Sequence, residues 1–132
     1  MEVKKFLGKD YDSVLEEALT TLNLSKEDVL ISSQEKKAGL FKGSQIELTV
    51  TPLIDVVEFV KAYLCQLLTI MGLEVSFESQ IREGQIKIKM YSDDNPILIG
   101  QGGRSLASLQ TIMRAIVKTR YGKTPYISLD VE

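Results

Sequence analysis

The chain has 132 residues, of which 44% are hydrophobic and 26% charged, and its formal net charge at pH 7 is −2. This composition indicates one globular domain or two small ones and excludes an intrinsically disordered chain. The sequence has no histidine and one cysteine. Ser–His and Cys–His catalytic triads, the usual zinc sites and an internal disulfide are therefore excluded.

The first fifty residues predict a β-α-β-β unit. A strand at Val3–Leu7 precedes a helix whose apolar residues repeat with the i, i+4 spacing of one buried face. Asp10 or Ser13 is suited to cap this helix, and Ser25–Asp28 predicts a single capped turn. The apolar positions of the helix are Val14, Leu15, Ala18, Leu19 and Leu22.

Two further strands are predicted at Val29–Ser33 and Ile46–Val50, joined by the loop Lys36–Gly43. Leu40 and Phe41 form the apolar tip of this loop. They are expected either to be buried under their own sheet or to be a docking point for a partner protein.

From Thr51-Pro52, which predicts a helix start and the domain boundary, the pattern is α-β-β-α-α-β. The first helix is expected to end near Gly72. Its apolar sequence is interrupted by the charged residues Glu58 and Lys61, which predicts a core helix and not a membrane span. Cys65 is expected to be buried in this helix. No secretion pattern opens the sequence, which favours the cytoplasm. The expected domains are residues 1–51 and 52–132.

The remaining elements alternate short strands and helices. Leu73–Glu78 and Ile86–Met90 predict a hairpin whose turn is Ile81–Gly84, with Glu74 and Glu78 facing Lys87 and Lys89 to fix the register. A helical turn at Ile97–Ile99, a helix from Arg104 to about Arg120 and a last strand at 127–131 follow. The predicted fold class is α+β, with a three-stranded sheet covered by helices in the second domain.

Gly100-Gln101-Gly102-Gly103 lies directly before the helix that starts at Arg104. Such a glycine turn at a helix N-terminus is suited to hold a phosphate. The dinucleotide fingerprint would need a third glycine at Ser105 and an acidic residue about 20 positions later, and a Walker A loop would need Gly-Lys-Ser/Thr. Neither is present. The order strand, helix, Gly-x-x-Gly, helix, strand instead predicts a KH module, which clamps single-stranded nucleic acid.

The helix after the glycine turn is amphipathic and basic. Residues 95–129 contain five basic residues and no acidic one. Arg104, Thr111, Arg114 and Lys118 gather on one side of the helix, where Arg104, Arg114 and Lys118 are expected to neutralise phosphates, or form an ordinary solvated face. Ile97, Ile99 and Leu106 are expected to line an apolar base-binding groove. The expected core face comprises Leu106, Leu109, Ile112, Met113, Ile116 and Val117.

Three stretches make the sequence similar to the KH region of the bacterial Jag family, also called the KhpB or EloR family. They are Met71–Val75, Ile97–Gln110 and Leu129–Glu132. The first fifty residues resemble the N-terminal Jag domain of that family, with Lys36–Gly43 matching its Lys-Lys-Gly-rich signature. The resemblance covers nearly the whole chain and implies a type II KH fold with single-stranded RNA as ligand.

The resemblance further implies a cytoplasmic protein linked to cell elongation, cell-wall synthesis or sporulation, and often partnered by a small single-KH protein. Relatives usually continue into a domain named for an Arg-x-x-x-His motif. The sequence ends at Glu132, where that domain would begin, which indicates a truncated chain or a short variant. Relatives also often carry basic residues where this chain has Gln101-Gly102, so weaker binding is expected.

The sequence therefore predicts a single-stranded RNA-binding protein that is not an enzyme and needs no cofactor or metal. Tyr121 and Tyr126 are expected either to stack on bases or to pack at the edge of the core. The alternative is a protein–protein adaptor, whose KH-like half forms a homodimer or pairs with another KH protein. Its N-terminal domain would recruit a cell-wall or membrane-associated partner, without membrane insertion.

Overall fold

A computed structural model describes residues 4–37, 43–100 and 103–131. These residues form two compact units, the first ending at Leu53 and the second starting at Ile54. The α+β fold class is confirmed. In the described part of the chain, no helix is both long enough and apolar enough to span a membrane.

The first unit is a three-stranded antiparallel sheet with one helix. Strands β1 (Lys4–Gly8), β2 (Val29–Lys37) and β3 (Ser44–Pro52) lie in the order β1-β3-β2, and helix α1 spans Tyr11–Leu22. Asp10 caps α1, because its carboxylate accepts a hydrogen bond from the Ser13 N–H at 3.1 Å. The buried core residues of this unit are Val14, Leu15, Ala18, Val29, Leu48 and Val50.

Strands β2 and β3 are longer than the sequence predicts. Lys36 pairs with Gln45 within the ladder, so the predicted loop begins too early. Polar residues have a low preference for strands, so the sequence does not predict these strand ends. Pairing across the ladder nevertheless gives their backbone N–H and C=O groups hydrogen-bond partners. Leu40 and Phe41 lie outside the described residues. The prediction that Thr51-Pro52 starts a helix is wrong, because both residues end β3 opposite Leu30 and Val29, and the helix starts at Leu53.

Glu47 is a buried carboxylate that the sequence does not reveal. The residue is 7% exposed on β3, and Lys36 and Lys5 from the two neighbouring strands reach it at 3.2 Å and 3.9 Å. The alternation of β3 predicts an outward-facing, solvated side chain here. The two ammonium groups instead compensate the burial of the carboxylate, as a buried charge requires.

The second unit has the order α-β-β-α-α-β. It consists of α2 (Leu53–Ile70), β4 (Val75–Arg82), β5 (Gln85–Ser92), α3 (Asn95–Ile99), α4 (Arg104–Tyr121) and β6 (Tyr126–Val131). The sheet order is β4-β5-β6, with β4 antiparallel and β6 parallel to β5. One sheet face is buried, and the other exposes polar residues such as Glu78, Lys89 and Asp130.

The ends of these elements follow from local chemistry. Gly72 has φ +82° and closes α2, since the N–H groups of Gly72 and Leu73 donate to the carbonyls of Thr69 and Leu68. The β4–β5 turn is only Glu83-Gly84, shorter than predicted, and both residues have positive φ, as a two-residue hairpin turn needs.

Two details of the second unit differ from the predictions. Glu78 faces Lys89 as expected, but Lys87 faces Gln80. Glu74 faces neither lysine, because it precedes β4, whose first residue, Val75, pairs with Ser92. Cys65 is exposed and not buried. It lies on the outer side of α2, next in sequence to the buried Leu64.

Candidate nucleic-acid interface

The glycine turn is held in place by the short helix before it. Asp94 caps α3 by accepting a hydrogen bond from the Ile97 N–H, and the Gly100 N–H donates to the Pro96 carbonyl at 2.9 Å. Gly100 has φ +74°, and a Cβ at this position would overlap Ser105 Oγ and lie 2.8 Å from the Ser105 backbone nitrogen. Only glycine therefore allows α3 to approach the start of α4 this closely.

The N-terminus of α4 begins at a glycine. Gly103, with φ +77°, precedes the helix, and among the described residues no side-chain hydrogen bond caps the first N–H groups. These groups carry the positive end of the helix dipole and are suited to an anion. Gln101 and Gly102 lie outside the described residues, so the structure describes the two ends of the turn, Gly100 and Gly103.

The three predicted phosphate contacts lie exposed on α4. Arg104, Arg114 and Lys118 are accessible to solvent, and none of them takes part in an ion pair found among the described residues. At about 100° per residue, their directions differ by up to about 80° around the helix. They therefore form a broad basic strip that starts beside Gly103 and runs along α4.

The two sides of α4 border different surfaces. On one side, Arg104, Ser108 and Ile112 line a groove of about 300 Å³ together with Leu67 of α2 and Met71, which directly follows α2. We call this the α2/α4 groove. On the other side, α4 lies against β6.

Two hydrogen bonds define that second side. Gln110 Oε1 accepts a hydrogen bond from the Leu129 N–H of β6 at 3.2 Å, and Thr124 Oγ1 donates to the Arg114 carbonyl. We call this side, with Gly103, Gln110 and Arg114, the α4/β6 side. A ligand leaving the glycine turn thus meets either an apolar groove or a polar edge.

The structure does not bring the predicted apolar lining together. Ile97 lies in the α2/α4 groove, whereas Ile99 and Leu106 do not line it. Ile97 and Ile99 are two residues apart on a helix, so their side chains point about 200° apart. Leu106 is half-buried one turn before Gln110. Leu106 therefore points within about 40° of Gln110, near the α4/β6 side. Ile99 is exposed, whereas Ile97 lies in the α2/α4 groove.

The core face of α4 is narrower than its periodicity predicts. Leu109, Met113 and Val117 are buried, but Ile112 is exposed and Leu106 and Ile116 are half-buried. Among the described residues, the elements that pack on α4 bury only part of its apolar stripe. Ile112 lines the α2/α4 groove, and Ile116 lines a neighbouring hollow that includes Phe59 and Tyr63.

The two candidate stacking tyrosines differ in accessibility. Tyr121 is buried and packs edge-to-face on Phe59, with ring centroids 5.7 Å apart. Burial raises the pKa of its hydroxyl above the ordinary value, although the neighbouring Arg120 opposes this rise. Tyr126 is 56% exposed at the start of β6. Only Tyr126 of these two presents a ring that a base could stack on.

Sequence reasoning missed Gln110 and the α2 residues of the α2/α4 groove. A single glutamine in a helix carries no signal for its hydrogen bond to a distant strand. For Met71 of this groove a signal existed, because it is an apolar residue outside the stripe that faces the core, as are the nearby Tyr63 and Ile70, and all three are exposed.

A family model described as "KhpA/KhpB, KH domain" matches residues 57–129. The match begins in the second turn of α2 and ends in β6, so it contains the whole glycine turn and α4. A search of the curated proteins found no match to this chain. Because the matched segment is more than half of the sequence and its element order is that of a KH fold, the chain belongs to the KhpA/KhpB KH-domain family.

Proposed function

We propose that this chain binds single-stranded RNA, without catalysing a reaction, through the turn Gly100–Gly103 and helix α4. The observation that carries the proposal is the N-terminus of α4, for which the described residues supply no side-chain cap and which follows two glycines of positive φ within the segment matched by the KH family model. KH domains use such a Gly-x-x-Gly loop to clamp about four nucleotides of a single strand.

The electrostatic part of binding rests on α4. Gln101 and Gly102 bring no charge to the clamp, so backbone N–H groups and the helix dipole hold the first phosphate. Arg104, Arg114 and Lys118 neutralise phosphates further along the strand. Ile99 and Leu106 contact bases on the α4/β6 side, while Ile97 supports the α2/α4 groove beside Arg104.

The proposal predicts how salt weakens binding. For a single strand, log Kd should rise with log salt concentration by roughly 0.7 for each phosphate that a basic residue neutralises. Arg114→Gln and Lys118→Gln should each lower that slope by about 0.7. The slope is measured by fluorescence anisotropy of a labelled oligouridine over a series of sodium chloride concentrations.

Lys87→Gln is the matched control, because Lys87 is exposed on the polar face of β5, away from α4. Its slope should equal that of the wild type. Equal slopes for the wild type and both α4 variants would show that the basic strip does not contact phosphates.

The cellular role belongs to the same proposal. The protein acts in the cytoplasm as a post-transcriptional regulator linked to cell elongation, cell-wall synthesis or sporulation. Residues 1–51 serve as a Jag-like domain that binds a partner, including a membrane-associated one, through Leu40 and Phe41. The similarity of Lys36–Gly43 to the Jag signature supports this role.

The second candidate function is an adaptor whose KH half pairs with a second copy or a small KH protein. The exposed apolar residues around the α2/α4 groove favour it: Ile70 is 84% exposed, Met71 55% and Ile97 50%. Several large apolar side chains exposed in one region of a protein surface are typical of a protein–protein interface. Because this surface lies on the other side of α4 from Gln110 and Arg114, pairing there leaves the α4/β6 side open for RNA.

A further inference from the structure

Gln110 lies in line with the clamp on α4. At about 100° per residue, Gly103, Gln110 and Arg114 point within about 20° of one direction. Gln110 is half-buried, about 10 Å along the helix from Gly103 at 1.5 Å per residue. An RNA strand held at Gly103 and contacted by Arg114 must therefore pass Gln110.

The side-chain amide of Gln110 has a fixed orientation. Its Oε1 accepts the hydrogen bond of the Leu129 N–H, at the edge of β6 that does not face β5. A backbone N–H can only donate, so the oxygen end of the amide must face β6, and the amino group Nε2 is the other end. The amide cannot flip without losing this bond.

The Nε2 group is accessible to a ligand. Within the described ranges, the bond to Leu129 is the one side-chain hydrogen bond found for Gln110, and no buried side-chain nitrogen or oxygen lacks a partner. Nε2 must therefore be in contact with solvent. It presents two N–H donors to whatever lies on the α4/β6 side.

We propose that Gln110 selects the RNA base beside it by donating from Nε2 to a carbonyl oxygen of that base, and so disfavours adenine. This inference rests on the proposed RNA binding. A glutamine recognises adenine through two bonds that need both its amide oxygen and its amino group. In this chain the oxygen is held by Leu129. At the position of uracil O4, adenine carries the N6 amino group, which would meet the Nε2 donors, and its acceptors are ring nitrogens at other positions, so a donor placed to reach O4 favours uracil.

The test is the ratio of the Kd for oligoadenine to the Kd for oligouridine of equal length, measured by anisotropy at fixed low salt. One hydrogen bond of ordinary strength predicts that the wild type binds oligouridine about fivefold more tightly. Gln110→Met keeps the length of the side chain but removes the donors, so the ratio should fall about fivefold. Gln110→Glu keeps an acceptor for Leu129 but replaces the amino group by an oxygen. Its ratio should therefore fall below that of Gln110→Met, which means a shift of preference toward oligoadenine.

The ratio separates base selection from a purely structural role. A side chain that only braces β6 would change both affinities together. Gln80→Met is the matched control, since Gln80 is exposed on the outer face of β4, and its ratio should equal that of the wild type. An identical ratio in the wild type, Gln110→Met and Gln110→Glu overturns the inference.

Failure of the proposed function gives a different result. If the wild type binds neither oligonucleotide, RNA binding itself is refuted and base selection with it. If the wild type binds both, and Gln101→Asp with Gly102→Asp loses both, the clamp stands, and the ratio alone decides on Gln110. Thermal unfolding of each variant verifies that the protein used for binding is folded.

Discussion

Two aspartates in the clamp, Gln101→Asp with Gly102→Asp, are expected to weaken the binding of oligouridine by at least about 100-fold, or about 2.7 kcal/mol. The two carboxylates would stand where a phosphate must approach the N-terminus of α4, and like charges at such short range cost several kcal/mol. Anisotropy at low salt measures the loss. The fold should be unaffected, because negative charge at a helix N-terminus is favourable.

The matched control carries the same change in net charge elsewhere. Gln66→Asp with Thr69→Asp places both charges on exposed positions of α2, and its RNA affinity should stay close to that of the wild type. If the clamp variant and the wild type bind RNA equally well, the glycine turn is not the binding site. If both double variants lose affinity equally, the effect is one of net charge.

The second large effect is expected on self-association. If the α2/α4 groove pairs with a second copy, Ile112→Lys should convert a dimer into a monomer in sedimentation velocity. Burial of an isoleucine side chain is worth about 1.5–3 kcal/mol, and a two-fold dimer contains the residue twice. The dissociation constant should therefore rise by about 10² to 10⁴.

Ile54→Lys is the control for this substitution. Ile54 is 52% exposed near the start of α2 and does not line the groove, so its variant should remain dimeric. Ile112→Lys should also retain RNA binding, because Ile112 lies on the side of α4 that faces α2. A wild type that sediments as a monomer at high concentration would contradict pairing through this surface.

Much of the clamp could be predicted from the sequence because its signals are local. Gly100 and Gly103 predict a turn with positive φ angles, and the periodicity of apolar residues in α4 predicts a helix directly after it. The same holds for Asp10 and Gly72, whose capping roles depend on a few neighbouring residues. The KH element order then follows from the order of such local signals.

The surroundings of the clamp could not be predicted in the same way. The 3.6-residue period shows that α4 has an apolar stripe, but not how much of it neighbouring elements cover, so Ile112 was expected in the core. Likewise, Pro52 carries a strong helix-start signal, and only its pairing with Val29 across the sheet makes it the end of a strand. The hydrogen bond of Gln110 is made to a residue 19 positions further along the chain. The burial of Glu47 depends on lysines of two other strands.

We propose that RNA contacts the glycine turn and the α4/β6 side of the second unit. Titration of ¹⁵N-labelled protein with oligouridine tests it most directly, by the residues whose amide signals shift. We expect the largest shifts at Gly100, Gly103 and Arg104, together with shifts of the Gln110 side-chain amide. Shifts confined to the first unit, or to the outer sheet face around Lys87 and Asp130, would contradict it.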